Sequence, residues 1–127
     1  MARILIAEDD ADLRLLLRLV LHRAGHSVVE APDGVQALDV LTRERIDLAL
    51  LDNAMPHMTG VEVLQACERL TSWHRPLLVV ISALATRTDI RSYYLHGADD
   101  FIAKPFTSDE VVDRVGMLLD ERAILQG

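Results

Sequence analysis

Short apolar segments alternate with helix-type segments along the whole sequence. Segments typical of buried strands lie at residues 4–7, 27–30, 47–51, 77–81 and 100–103. Apolar residues at helical spacing predict helices at residues 12–24, 35–41, 60–70, 86–95 and 108 to about 122. This alternation predicts a doubly wound α/β domain, with a parallel sheet covered by helices on both faces.

The third predicted strand ends in a carboxylate. Its apolar run from Leu48 to Leu51 is typical of a strand buried on both faces, as in a parallel sheet. Asp52 follows at once, and Pro56 cannot continue a strand ladder. We therefore expect Asp52 at a strand tip, where it is either a turn former or a reactive group.

Polar side chains follow the other strands as well. The set at four strand ends is Glu8, Asp9, Asp10, Asp52, Ser82 and Lys104. Each has a structural alternative, because acidic residues favour helix starts, Asp10 could be an N-cap, and Lys104 could be a surface charge. In an open α/β sheet, however, ligands bind beyond the carboxyl ends of the strands. The shared placement at one sheet edge favours a functional site.

The chemistry of this set points to a phosphoryl group. Clustered carboxylates repel one another unless a cation neutralises them, and Mg²⁺ prefers oxygen ligands and keeps waters for a phosphate. The ammonium of Lys104 and the hydroxyl of Ser82 could both bind phosphate oxygens. This interpretation makes Asp52 a nucleophile that carries the phosphoryl group.

The amino-acid composition argues against several classes of function. A chain of 127 residues with 50% hydrophobic content predicts one domain, residues 1–127. Twenty acidic against 13 basic residues give a net charge of -7, which argues against direct nucleic-acid binding. We expect no membrane association and a cytoplasmic location, since no apolar stretch approaches the length of a span and no signal peptide is recognisable. The single cysteine, Cys67, is expected to be a small packed residue without a disulfide.

Four stretches together resemble the receiver domain of two-component response regulators. In chain order they are ILIAEDD, LALLDNAMPHMTGVEVL, VVISA and GADDFIAKPF. The resemblance extends over essentially the whole chain. It implies a flavodoxin-like fold similar to that of the chemotaxis regulator, with five parallel strands in the order 2-1-3-4-5 and five helices.

The resemblance also implies a phosphorylation switch. A sensor histidine kinase or a phosphotransfer protein would donate a phosphoryl group to Asp52. The implied Mg²⁺ ligands are Glu8 through water, Asp9, Asp52 and the backbone carbonyl of Ala54. Direct ligation by Asp10 stays open. Such a domain would be a phosphoacceptor with self-catalysed transfer and dephosphorylation, and not an enzyme in the usual sense.

Further roles are implied for the fourth and fifth strand ends. Ser82 and Lys104 would bind the phosphoryl oxygens, and the Lys104-Pro105 bond would be cis. Phe101 falls at the family's switch aromatic, where it would turn inward when Ser82 moves, and it is equally well explained as a core aromatic. Because Phe101 lacks a hydroxyl, we expect packing alone to distinguish its rotamers. Ala54 and Leu84 stand where many relatives have polar side chains, which predicts slow self-dephosphorylation.

Helix four, strand five and helix five would form the switching face. Asp100, Glu110 and Arg114 match some positions through which related regulators pair, whereas Ile90 stands where a basic partner is common. A solvated charged face explains these residues as well. We expect weak homodimerisation of the phosphorylated form through this face.

Three other functions fit the residues less well. A phosphohydrolase with an aspartate nucleophile commonly has a second Asp two residues later, where this chain has Ala54. A nucleotide-binding domain would need a glycine-rich loop after the first strand, where this chain has acidic residues. A receiver-like interaction module that is never phosphorylated would be favoured by loss of the acidic residues, Asp52 or Lys104, and all are present.

Overall fold

The computed structural model describes residues 2–71, 73–83 and 86–126. Within these residues the strands are β1 (Arg3–Ala7), β2 (Ser27–Ala31), β3 (Leu48–Asp52), β4 (Leu77–Ser82) and β5 (Asp100–Ala103). The helices are α1 (Ala11–Arg23), α2 (Gly34–Arg43), α3 (Gly60–Cys67), α4 (Arg87–Leu95) and α5 (Ser108–Gln126). All strand pairs are parallel, in the order β2-β1-β3-β4-β5. The predicted fold class is confirmed.

Two predicted helix ends were wrong by several residues. Helix α3 ends at Cys67 and not at residue 70, because the chain then tightens into turns in which the Leu70 amide donates to the Cys67 carbonyl at 3.1 Å. Helix α5 continues past Arg122 to Gln126. No glycine or proline interrupts residues 117–126, so the sequence offers no stop signal before Gly127.

Each face of the sheet has its own core. On one face, apolar residues of the strands pack against α2, α3 and α4, with members such as Leu5, Leu51, Ala37, Leu64 and Tyr93. On the other face they pack against α1 and α5, with members such as Ile6, Leu50, Leu17, Val111 and Val115. All five residues of β3 are buried, as the apolar run predicted. Burial on both faces fixes the strand whose last residue is Asp52.

Close backbone packing holds the loop after β3 beside the N-terminus of α2. A Cβ atom on Gly34 would lie 2.0 Å from the carbonyl oxygen of Met58. Only glycine therefore allows the two backbones to approach in this way. Thr59 then starts α3 with a capping box, in which its hydroxyl accepts from the Glu62 amide at 3.2 Å and the Glu62 carboxylate accepts from the Thr59 amide at 3.1 Å.

Cys67 is buried at the end of α3 and forms no disulfide, as expected. None of the helices in the described part of the chain is both long and apolar enough to cross a membrane.

Candidate functional site

Three carboxylates converge at the carboxyl edge of the sheet. Glu8 and Asp9 follow β1, and Asp52 ends β3, which lies next to β1 with Ala7 opposite Leu51. One oxygen from each of the three carboxylates lies within 4.8 Å of the others. Glu8 is only 2% exposed and Asp52 only 3%, whereas Asp9 faces solvent. These three residues thus lie together, as their positions at neighbouring strand ends predicted.

Lys104, which follows β5, provides a positive charge opposite the carboxylates. Its Nζ lies 3.0 Å from Oε1 of Glu8 and 3.2 Å from Oδ2 of Asp52. Lys104 is the only lysine in the sequence, and the other 12 basic residues are arginines. An ammonium is a compact charge that can contact two carboxylates at once. The peptide bond between Lys104 and Pro105 is cis, as the resemblance implied.

The site carries an excess of negative charge. Burial, reinforced by the neighbouring Asp52 carboxylate, raises the pKa of Glu8 to about 8, and the Lys104 ammonium only partly opposes this. Burial lowers the pKa of Lys104, but its contacts with Glu8 and Asp52 outweigh burial and raise it overall. The one ammonium contacts two of the three clustered carboxyl groups, and the raised pKa of Glu8 indicates that this charge does not fully stabilise them in the ionised form. Hard oxygen donors with uncompensated negative charge fit a divalent cation such as Mg²⁺.

Asp10 lies outside this cluster and caps helix α1. Its Oδ1 accepts hydrogen bonds from the amides of Asp12 at 2.9 Å and Leu13 at 3.2 Å. An aspartate at the N-cap satisfies amides that the helix itself leaves unpaired. The structural alternative for Asp10 is thus realised, and metal ligation by Asp10 gains no support from its position.

Ser82 is buried at the end of β4, and its hydroxyl makes two hydrogen bonds. Its hydroxyl donates to the carbonyl oxygen of Ala83 at 3.1 Å and accepts from the hydroxyl of Tyr93 at 3.2 Å. Phe101 is half-buried, and its ring centroid lies 5.7 Å from that of Tyr93. Phe101 thus packs against the core, and its predicted switching role stays a prediction.

Tyr93 was missed by the sequence analysis. The sequence carries one signal for it, since a tyrosine on the buried stripe of a helix needs a partner for its hydroxyl. The sequence could not identify that partner as Ser82, because the rotation of α4 against the sheet depends on tertiary packing.

The loop after β3 places a small residue, Ala54, beside Asp52. The amide of Ala54 donates to Oδ1 of Asp52 at 3.3 Å. Metal binding by the Ala54 carbonyl stays a prediction from the resemblance. Leu84, the other apolar position noted in the sequence, lies outside the described residues.

An apolar hollow of about 500 Å³ adjoins Lys104. It is lined by Leu13, Leu16, Ala83, Lys104, Pro105 and Phe106. Leu16 and its neighbours Leu15 and Leu19 are exposed on α1. The charged site is thus bordered by an exposed apolar surface.

The expected pairing face contains an ion pair within the chain. Arg114 donates to Oδ2 of Asp100 at 2.6 Å, and this contact raises the pKa of the Arg114 guanidinium. The hydroxyl of Tyr94 also reaches Asp100, at 3.4 Å. Two of the three charged residues proposed for pairing are therefore already bonded to each other.

The carboxyl edge of this parallel sheet combines three carboxylates, a lysine and a hydroxyl, which are groups suited to holding a cation beside a phosphate. Residues 4–116 match the response regulator receiver domain family. The chain is 38% identical over 119 residues to the transcriptional regulatory protein CpxR of Escherichia coli, covering 94% of this chain and 50% of CpxR. The chain belongs to the response regulator receiver domain family, and it spans about half the length of CpxR.

A second relative and a solved structure agree with this assignment. Sporulation initiation phosphotransferase F of Bacillus subtilis is 36% identical over 113 residues, which are 89% of this chain and 90% of that protein. A CheY-like response regulator receiver domain protein from Methanospirillum hungatei superimposes with a TM-score of 0.91 at 26% identity, covering 100% of this chain and 99% of that one. The prediction of a phosphoacceptor receiver domain of a two-component system is confirmed.

Proposed function

We propose that Asp52 is the residue that accepts the phosphoryl group. The observation that carries this proposal is the position of Asp52, buried at the tip of β3 with Lys104 Nζ at 3.2 Å and the oxygens of Glu8 and Asp9 close by. A carboxylate held beside a fixed cation can receive a phosphoryl group whose charge that cation then offsets.

The transfer involves one bond made and one broken. A carboxylate oxygen of Asp52 forms the new bond to phosphorus, while the bond between phosphorus and the histidine nitrogen of the donor breaks. The released imidazole of the donor takes up a proton. After the transfer, the Lys104 ammonium contacts one oxygen of the phosphoryl group. The Ser82 hydroxyl donates a hydrogen bond to another of these oxygens.

Glu8, Asp9, Asp52 and the Ala54 carbonyl would hold Mg²⁺. When bound, the ion supplies positive charge that offsets both the carboxylates and the phosphoryl oxygens. The buried Glu8 and Asp52 carboxylates fix one side of this site, while the exposed Asp9 leaves it open to solvent. Asp10 keeps its role as the cap of α1.

The apolar surface beside the site fits the proposed donor. Leu16 is exposed on α1 and lines the hollow next to Lys104, where a donor helix could bury it. A sensor histidine kinase or a phosphotransfer protein would present its phosphohistidine there. We place the domain in the cytoplasm because its phosphoryl group would come from a kinase that depends on ATP.

Phosphorylation would act on the face formed by α4, β5 and α5. We keep weak dimerisation of the phosphorylated form as part of the proposal, and we expect Asp100 and Arg114 to exchange their internal ion pair for contacts with a second copy. Sedimentation at high protein concentration should detect a dimer only with a beryllofluoride mimic. Identical sedimentation with and without the mimic would refute this part.

Acetyl phosphate with Mg²⁺, followed by intact mass, tests the acceptor. The wild-type chain should gain one phosphoryl group, and Asp52→Asn should gain none. Asp113→Asn is the control, since Asp113 is an exposed carboxylate on α5 and should leave labelling unchanged. Undiminished labelling of the Asp52→Asn protein would contradict the assignment. A wild-type chain that takes no label from any donor would instead favour an unphosphorylated interaction module.

A further inference from the structure

Tyr93 is a buried phenol with one polar contact. The residue lies on α4 and is only 2% exposed. Its hydroxyl donates to the hydroxyl oxygen of Ser82 at 3.2 Å, and Ser82 is its only hydrogen-bond partner among the described residues. Buried phenols are normally hydrogen-bonded, because an unpaired hydroxyl in the core is costly. The position of Tyr93 is therefore tied to that of Ser82.

Ser82 is occupied by this contact and by one other. A serine hydroxyl has a single hydrogen to donate, and that of Ser82 is directed at the Ala83 carbonyl at 3.1 Å. Neither the Asp52 carboxylate nor the Lys104 ammonium is a hydrogen-bond partner of the Ser82 hydroxyl in the part of the chain that the structure describes, although the Lys104 backbone amide donates to the Ser82 carbonyl. In this arrangement Ser82 is turned to its own loop and to α4. Binding a phosphoryl oxygen requires the hydroxyl to turn toward Asp52.

We propose that Tyr93 is a positioning residue that holds Ser82 in this resting arrangement and makes its release depend on a movement of α4. The inference rests on the proposed function, since Ser82 must turn toward a phosphoryl group on Asp52. As Ser82 turns, the Tyr93 hydroxyl loses its partner inside the core and is driven to a new position. The phosphorylation site is thereby connected to α4 through one side-chain hydrogen bond.

The ring of Tyr93 extends the connection to β5. Its centroid lies 5.7 Å from that of Phe101, and both rings pack in the core between the sheet and α4. Phe101 has no hydroxyl with which to reach Ser82, whereas Tyr93 has one. Tyr93 thus supplies the polar contact that Phe101 cannot make, and any shift of its ring changes the packing of Phe101.

Binding of beryllofluoride with Mg²⁺ measures the effect, because the mimic binds the arrangement in which Ser82 has turned. Tyr93→Phe keeps the ring and removes only the hydroxyl that holds Ser82. Loss of one neutral hydrogen bond from the resting state should tighten beryllofluoride binding by about two- to tenfold. Tyr94→Phe is the matched control, because Tyr94 is an exposed neighbour on α4 whose hydroxyl contacts Asp100 and not Ser82.

A double-mutant cycle tests whether Tyr93 acts through Ser82. In a Ser82→Ala background the hydroxyl of Tyr93 has nothing to hold, so adding Tyr93→Phe should leave beryllofluoride affinity unchanged. A merely structural role of Tyr93 would give the same change in both backgrounds. That result would overturn the proposal.

Tyrosine NMR provides an independent readout. The chain contains two tyrosines, so ring labelling with ¹³C gives two sets of signals, which Tyr94→Phe assigns. Beryllofluoride should shift the Tyr93 signals strongly, because the Tyr93 hydroxyl loses its partner Ser82.

Two outcomes separate this inference from the proposed function. Wild-type protein that does not bind beryllofluoride would overturn both. Wild-type binding combined with equal or weaker affinity in Tyr93→Phe, or with unshifted Tyr93 signals, would overturn only the role of Tyr93. Equal affinity would mean that the hydrogen bond between Tyr93 and Ser82 does not restrain Ser82. Weaker affinity would mean that the Tyr93 hydroxyl moves with Ser82 and stabilises its turned position.

Discussion

The ammonium of Lys104 lies 3.0 Å from Oε1 of Glu8, although the two residues are 96 positions apart in the sequence. The same nitrogen lies 3.2 Å from Oδ2 of Asp52. Before any phosphoryl group arrives, Lys104 is thus a counter-ion to two of the carboxylates that would hold Mg²⁺. Lys104 and the metal ion therefore compete electrostatically for the same negative charge.

The first prediction follows from this competition. In Lys104→Ala, Mg²⁺ should bind about two- to tenfold more tightly than in the wild type, because a positive charge close to the metal site has been removed. Beryllofluoride should bind more weakly, because the same charge is needed to hold its fluorines. Calorimetric titration with each ligand measures both effects.

Arg114→Ala is a suitable control, since it removes a cation whose partner Asp100 lies outside the acidic cluster. It should leave Mg²⁺ affinity close to the wild-type value. Lys104→Ala binding Mg²⁺ no better than the wild type, or beryllofluoride equally well, would contradict the role assigned to Lys104.

The second prediction concerns the close approach between α2 and the loop after β3. A methyl group on Gly34 would lie 2.0 Å from the Met58 carbonyl oxygen, so one backbone must move. Gly34→Ala should lower the free energy of unfolding by about 2 kcal/mol or more. Urea unfolding followed by circular dichroism measures the change.

Gly116 provides the matched control within the same chain. It lies in α5, and a Cβ atom there would meet nothing within 4 Å. Gly116→Ala should raise the free energy of unfolding by about 0.5–1 kcal/mol, since alanine favours the helix. Equal effects at both positions would show that the approach of Met58 does not restrict residue 34.

The sequence was sufficient to predict the acidic site because a simple geometric rule applied. Parallel strands end at one edge of the sheet, so Glu8, Asp9 and Asp52 had to meet once the strands were recognised. The same rule brought Lys104 to them from β5. No knowledge of side-chain rotamers was needed for these residues.

Other residues have side chains that could make either of two contacts, and the sequence does not show which contact forms. A carboxylate directly after a strand can bind a metal ion or cap the next helix, and Asp10 was compatible with both until its contacts with the α1 amides were known. Asp100 and Arg114 matched pairing positions, but position alone did not reveal their bond within the chain. Tyr93 required the rotation of α4, which tertiary packing sets.

The third prediction uses the single cysteine. Burial raises the pKa of the Cys67 thiol to about 11, only partly opposed by Arg75, compared with an ordinary value of 9.0. Because the thiolate is the reactive form, iodoacetamide should modify native Cys67 at pH 8 about a hundredfold more slowly than it modifies the unfolded chain. An acid whose pKa is raised on folding stabilises the native state less as pH increases, so stability should decline as pH rises from 9 through 11.

Mass spectrometry of timed samples measures the alkylation, and the chain in urea supplies the unfolded reference. The native rate should still be increasing above about pH 10, where the rate for the unfolded chain levels off because its thiol is almost fully ionised. A native rate that levels off at the same pH as that of the unfolded chain would show that Cys67 is not desolvated.

The last prediction concerns how long the phosphoryl group survives. Hydrolysis of an aspartyl phosphate needs a water held in line with the phosphorus, and a polar side chain beside the site can orient that water. Ala54 offers only a methyl group there, so decay should be slow. Ala54→Asn should accelerate loss of label after donor removal by roughly threefold or more, because its amide can bind the water. Ala54→Leu, of similar size without polar atoms, should not. Adding Leu84→Glu to Ala54→Asn should increase the rate further, as the sequence alone predicts. Decay at the parent rate in Ala54→Asn and in the double variant would mean that water placement does not limit the signal.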